Sequence, residues 1–326
     1  NGLITIANKK TITATTDAKE EQYTLKLTFV NYEGDQTANA TSTLSAKVMI
    51  QKEPIVTTLA SYITNLYTGT QGENGIYYHD ASLTNGAGDN SYRFAGASDQ
   101  VNNYVCFGSN VTPCPENNLY RIIGVFGDKV KLIKSTSVGN KAWDSNSSNT
   151  WSTSSLNTYL NNDFLNAFDE TTKGKIADTT WKVGGNTWAN IGTQPAKTAY
   201  QNEIVSPVTT NATDNATTYS AKVGLMYVSD YMYAAPQDKW TLVGNRSETT
   251  DYRAATSVNW MYMGLNEWTI SRNADDAFFV FYVYDTGNLG YDSANGAYGV
   301  RPVFYLTSSV NYVSGSGTAA DPIVVN

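Results

Sequence analysis

Apolar and polar residues alternate along the first fifty positions. "LITI", "TITATT", "YTLKLTFVN" and "TLSAKVMIQ" are rich in Thr and Val and predict short half-buried strands. "NYEGDQTANA" between them is turn chemistry. Fifty residues are thin for an independent sandwich, so residues 1–54 are read as the tail of a β-sandwich or stalk. Pro54 ends that pattern, and the period then changes. Ile55, Leu59, Ile63 and Leu66 recur at helical spacing until Gly69, which predicts a packed linker helix within residues 55–74.

From residue 75 to 326 the pattern is that of one α+β domain with long loops. "NLYRIIGVFGDKVKLIKSTSV" is a hairpin, two apolar runs turned at Gly127-Asp128. "STSSLNTYLNNDFLNAF" places Leu156, Tyr159, Leu160, Phe164 and Phe168 on one helix face behind a Ser/Thr cap. "AKVGLMYVSDYMYA" reads as a strand running into a turn. Trp181, Trp188, Trp240, Trp260 and Trp268 punctuate an irregular middle, where long loops need aromatic plugs. No internal repeat interrupts this order.

Composition narrows the function classes. The net charge is −7 and only 16% of the 326 residues are charged. Lys and Arg do not cluster, which excludes an electrostatic nucleic-acid footprint. No run of about 18 apolar residues predicts a membrane span, and no signal peptide heads the chain. The chain begins abruptly in strand-like sequence and is read as a mature or trimmed piece of something longer. The surface is built from Thr, Ser, Asn and Tyr, which fits an extracellular or cell-surface setting.

Cys106 and Cys114 in "CFGSNVTPC" are the only cysteines. Their separation, with Gly108 and Pro113 between, suits a disulfide in an oxidising compartment. The competing metal pair lacks further ligands, since His79 is the only histidine. A Ser-His-Asp triad does poorly as well, since His79 in "YYHDAS" lies at the domain's entry and no nucleophile-elbow motif is present. "SGSGT" lacks the Lys and helix of a phosphate cradle. "NADD" is too sparse for a calcium loop. Asp275, Asp276, Asp285 and Asp292 keep a carboxylate-dependent glycan enzyme open as an alternative.

The order of landmarks carries a resemblance. "LYRIIGVFGDKVKLIK", "SLNTYLNNDFLNAF", "GLMYVSDY", "EWTISR" and "YGVRPVFYL" together resemble a C-type-lectin-like domain, over about residues 75–326. More narrowly they are similar to the bacterial branch related to formylglycine-generating enzymes and found in Gram-positive surface proteins. The resemblance implies twisted antiparallel strands, long loops held by buried aromatics, and a core role for Arg301 in "GVRP". The enzyme branch resembles a copper–cysteine chemistry that needs reactive thiols. With both cysteines committed to each other, that activity is not expected, and neither a cofactor nor a metal is implied. The first fifty residues also resemble, weakly, sandwich subunits of Gram-positive biofilm fibres. A fibre or pilus subunit, assembled through the N-terminal β segment, is therefore a further alternative.

The C-terminal stretch "AFFVFYVYDTGNLGYDSANGAYGVRPVFYL" mixes Phe and Tyr with Asn, Asp, Ser and Gly. Antibody binding loops use this mixture, rigid aromatic area beside adaptable hydrogen bonding. Phe279, Val280 and Val283 are expected in the core. Because aromatics occupy both parities, one strand face is expected to be exposed. Phe281, Tyr282, Tyr284, Asp285, Asn288, Tyr291, Asp292, Asn295 and Tyr298 are assigned to that face as ligand-binding residues, on a sheet shared with the Leu119–Lys134 hairpin. An exposed aromatic patch marks an interaction site, here for a protein or glycan ligand. The resemblance sharpens this reading toward variable proteins of diversity-generating retroelements, whose variable region lies near the end of such a domain. Adenine-directed mutation of Asn codons cannot yield Lys, Glu, Gln, Met or Trp, and those five are absent from Thr269 onward.

Overall fold

The computed structural model describes residues 34, 56–208, 216–242, 244 and 252–326. The expected strands of residues 1–54, and Ile55, lie outside the described residues. The chain divides into two compact units, Asn1–Val56 and Thr57–Asn326. The second unit is mixed α+β, rich in sheet and poor in helix.

It opens with helix α1 (Leu59–Asn65), capped by the Thr58 side chain, which accepts from the Ser61 N–H. Leu59 and Ile63 are buried one turn apart, as their spacing predicts. Strands β1 (Ile76–Tyr78), β2 (Tyr92–Phe94), β3 (Tyr104–Cys106), β4 (Leu119–Phe126), β5 (Lys129–Lys134) and β6 (Asn140–Ala142) follow. The middle holds α2 (Ser155–Tyr159), α3 (Glu170–Gly174), β7 (Thr179–Lys182), α4 (Ala196–Tyr200), β8 (Thr218–Ala221), β9 (Val223–Gly224), α5 (Val228–Tyr233) and α6 (Tyr252–Thr256). The last part contributes β10 (Glu267–Arg272), β11 (Phe279–Val283), β12 (Leu289–Ser293), β13 (Ala297–Gly299), β14 (Val303–Tyr305), β15 (Tyr312–Ser314) and β16 (Ile323–Val325).

Two sheets organise all but β7 and β8, which pair with each other as a separate ribbon. The larger runs β15-β16-β3-β4-β5-β14-β9, with β2 also on β4 and β1 on β2. Its centre is the expected hairpin, turned at Gly127-Asp128 with Gly127 at φ +63°. The smaller sheet has the order β12-β11-β10-β13-β6. The aromatic C-terminal stretch belongs to this second sheet, not to the hairpin's sheet as expected; only β14 reaches back to pair with β5. Most pairings are antiparallel, and the parallel ones are β10 with β13 and β16 with β3.

The α2 helix starts where the sequence places it, with Ser154 accepting from the Asn157 N–H, and continues through wider turns to Phe164. The "VSDYMY" segment differs from expectation: it is helix α5, and all six residues are buried. Its β-branched and aromatic content favours a strand, but tertiary acceptors hold its first turn. Asp230 accepts from the Tyr227 N–H at 2.9 Å, and Glu203 accepts from the N–H groups of Val228 and Ser229 at 2.8 and 2.9 Å. Trp181, Trp240, Trp260 and Trp268 are all buried, and each indole N–H donates to a backbone carbonyl. These rings fix loops whose backbone has no ladder to join. Cys106 and Cys114 form a disulfide.

Candidate functional site

The second sheet carries aromatic rings on both faces, and register decides which residue faces which way. Tyr282 lies opposite Trp268 on β10 and opposite Gly290 on β12. Two residues on, Tyr284 lies above the same side. On β13, Tyr298 comes into line through the parallel β10–β13 pairing. The result is one contiguous stack, face to face between Tyr282 and Tyr298 and tilted by 48° and 49° at its Tyr284 and Trp268 ends. Tyr282 is 4.6 Å from Tyr298 with the rings 21° apart, and 4.5 Å from Tyr284. Trp268 closes the stack 4.6 Å from Tyr298. Gly290 provides the flat floor, because a Cβ there would meet the Tyr284 ring at 2.2 Å.

The outer members of this stack stand at the surface. Tyr284 and Tyr298 are half-buried, and so is Asp292, whose carboxylate accepts a short hydrogen bond from the Tyr298 hydroxyl. Burial, with the Asp292 carboxylate beside it, pushes the Tyr298 phenol up to about 12. Burial and the hydrogen bond with Tyr284 also raise Tyr282. Both phenols therefore stay neutral hydrogen-bonding groups at physiological pH.

The opposite face is built differently. Phe281 stacks on Trp188 at 5.9 Å, and Tyr291 meets Trp188 and Phe279 at 5.3 Å each. Trp188 comes from a loop far upstream and covers that face, leaving Tyr291 40% exposed at its rim.

The expected binding residues thus separate. Tyr284, Asp292 and Tyr298 share one half-buried face, with Trp268 as a member the sequence did not place there. Asp285 and Asn295 are exposed in the turns that flank it. Tyr291 belongs to the other face. Four assignments are corrected: Tyr291 because it faces the opposite side of the sheet, and Phe281, Tyr282 and Asn288 because they are buried. Phe281 is roofed by Trp188, and Tyr282 lies beneath Tyr284 and Tyr298. Asn288 is turned inward, with its Oδ1 accepting from the Thr286 hydroxyl and its carbonyl from the Tyr284 N–H. Phe279, expected in the core, is half-buried.

The turns are firmly held. Gly287 adopts φ +87°, its carbonyl accepts from Tyr231 Oη at 2.7 Å, and the Tyr262 hydroxyl donates to the Asp285 carbonyl at 2.5 Å. Beneath the stack, Arg301 forms a buried bidentate pair with Glu267, Nε to Oε1 at 2.6 Å and Nη2 to Oε2 at 2.9 Å. Its Nη2 also donates to the Met261 carbonyl at 2.7 Å. Of the aspartates considered for catalysis, Asp276 accepts from the Phe278 and Phe279 N–H groups and Asp275 from the Trp188 N–H. His79 is fully buried between Tyr233 and Trp240, and burial holds it well below the usual imidazole range.

A second polar constellation, invisible in the sequence, lies where β2, β5 and α5 meet. Lys131 Nζ is 2.5 Å from Asp230 Oδ2, and the side chains are 1% and 3% exposed. Arg93 contacts Asp89 at 2.6 Å and Asp230 Oδ1 at 3.7 Å. A cavity of about 70 Å³ adjoins these groups and is also lined by Tyr200, Tyr227 and Tyr305. "KVKLIK" alternates as a surface strand would, so nothing local marks Lys131 as internal.

Residues 127–308, more than half of the chain, match the family model of a domain of unknown function (DUF6273). The chain belongs to that family, whose matched span runs from the hairpin turn to just beyond β14 and contains the whole tyrosine stack. No curated protein and no solved structure matches the chain. Among the described residues, no helix is long and apolar enough to cross a membrane.

Proposed function

We propose that this protein is a secreted or cell-surface binding protein whose ligand, a protein or a glycan, docks on the Tyr284–Tyr298 face of the second sheet. The observation that carries the reading is the continuous stack of Tyr284, Tyr282, Tyr298 and Trp268, half-buried at its outer rings. Such a stack offers rigid area at little entropic cost, because its rotamers are already fixed by neighbours. Hydroxyls and Asp292 give it polar selectivity, and Asp285 and Asn295 extend it over both turns. The finer reading is a C-type-lectin-like domain, supported by mainly antiparallel sheets and by loops pinned on buried tryptophans. Diversification of the region is supported by its residue types and by their concentration on a surface of firmly held backbone. Screening the protein on glycan and protein arrays tests the proposal, with the Tyr284→Ala/Tyr298→Ala variant in parallel. Specific hits lost in the variant support it, and hits retained by a folded variant refute it.

A further inference from the structure

We propose that Lys131 and Asp230 condense with each other, joining β5 to α5 through an amide bond between Lys131 Nζ and Asp230 Cγ. The inference rests on the interior constellation and is independent of the tyrosine face.

The two groups are already in direct contact. Nζ lies 2.5 Å from Oδ2, within reach of the carbon behind it, and the strand and helix that carry them are both buried. Glu203 fixes the first turn of α5 through the Val228 and Ser229 N–H groups and so positions Asp230. Burial opposes charge on the amine, although the surrounding rings face the cation favourably. Rings of Tyr227, Tyr305 and Trp181 stand 4.5, 5.4 and 5.8 Å from Nζ, and burial lowers the Lys131 ammonium from its ordinary value. In such a site a proton passed from ammonium to carboxylate leaves a neutral amine beside a carboxylic acid, the reactive pair.

The step balances without any co-reactant. The Nζ lone pair attacks Cγ and the Cγ–Oδ2 bond breaks. Oδ2 leaves as water with two of the three ammonium protons, and the third stays on the amide nitrogen. Arg93, 3.7 Å from Oδ1, faces the oxygen on which negative charge develops. The adjoining cavity can receive the water. Charge accounting favours the product. Before reaction Arg93, Lys131, Asp89 and Asp230 are four charges in one largely buried cluster; afterwards only the Arg93–Asp89 pair remains, at 2.6 Å.

The test is the intact mass of the reduced full chain, read under denaturing conditions so that folding of variants after purification is not required. The expected result is a wild-type mass one water below the sequence mass. Lys131→Arg and Asp230→Ala should each return to their full sequence mass. A wild-type digest should contain a branched peptide joining the two segments. A wild-type chain at full sequence mass overturns the proposal, and so does a deficit that persists in both variants.

Discussion

The buried pair beneath the tyrosine stack gives a sharp test of how the face is held. In Arg301→Met the three hydrogen bonds of Nε and Nη2 disappear, and Glu267 is left buried without its guanidinium. Removing one partner of such a pair costs about 3–5 kcal/mol, chiefly because the remaining charge is uncompensated. At roughly 2–4 °C per kcal/mol for a domain of this size, the melting temperature should fall by about 6–20 °C at pH 7. The deficit should depend on pH. Burial already raises Glu267 above 4.5, against the lowering influence of Arg301, so losing the arginine raises it further. A raised carboxyl favours the folded state below its unfolded pKa and loses that contribution as pH rises. The Arg301→Met deficit should therefore be largest at neutral pH and shrink toward pH 4–5. Adding Glu267→Gln should recover much of the loss. Urea titrations of the two variants and wild type at pH 7 and pH 5 provide the measurement. A deficit under about 1 kcal/mol at pH 7, or one that does not change with pH, would refute the reasoning.

Three further outcomes follow from the same geometry. Gly290→Ala should displace the Tyr284 ring, which a Cβ would meet at 2.2 Å, and weaken ligand binding about tenfold, read by titration calorimetry. Burial pushes Asp89 up, but the Arg93 guanidinium and Ser91 hydrogen bonds more than offset it and hold the carboxyl at about 2 against an ordinary 3.8. The folded state thus keeps this contribution, about 2 kcal/mol, above pH 4 and loses it as pH falls toward 2, an acid limb that Asp89→Asn should flatten in circular-dichroism melts. Replacing Cys106 and Cys114 by Ser opens a loop closed over a separation of eight residues and should cost about 2–3 kcal/mol in a urea titration, with ligand binding unchanged.

The parts of this fold that are legible in sequence are those whose partners are close along the chain. The β4–β5 hairpin, the capped α2 helix and the disulfide loop closed over a separation of eight are local arrangements, and their signals are turn residues, period and spacing. The tyrosine face was only half legible. Alternation shows that aromatics fill both parities of β11, but it does not show that Trp188 roofs one face while Tyr284 and Tyr298 cover Tyr282 on the other. Helix α5 reads as strand and turn in sequence because its stabilising acceptor Glu203 lies some 25 residues upstream. The Lys131–Asp230 contact joins positions 99 apart, and no periodicity encodes a pairing of that kind.

On the proposed function, one face of the second sheet binds ligand and the other does not. The most direct measurement compares the affinities of Tyr298→Ala and Tyr291→Ala for an array-identified ligand, each confirmed folded by its melting transition. Tyr298 belongs to the stack with Tyr282 and Trp268, whereas Tyr291 packs on Trp188 across the sheet. Losing an anchor of at least about 2 kcal/mol should weaken binding roughly thirtyfold in Tyr298→Ala. Tyr291→Ala should remain within about threefold of wild type. Equal losses in both variants, or a loss confined to Tyr291→Ala, would contradict the account.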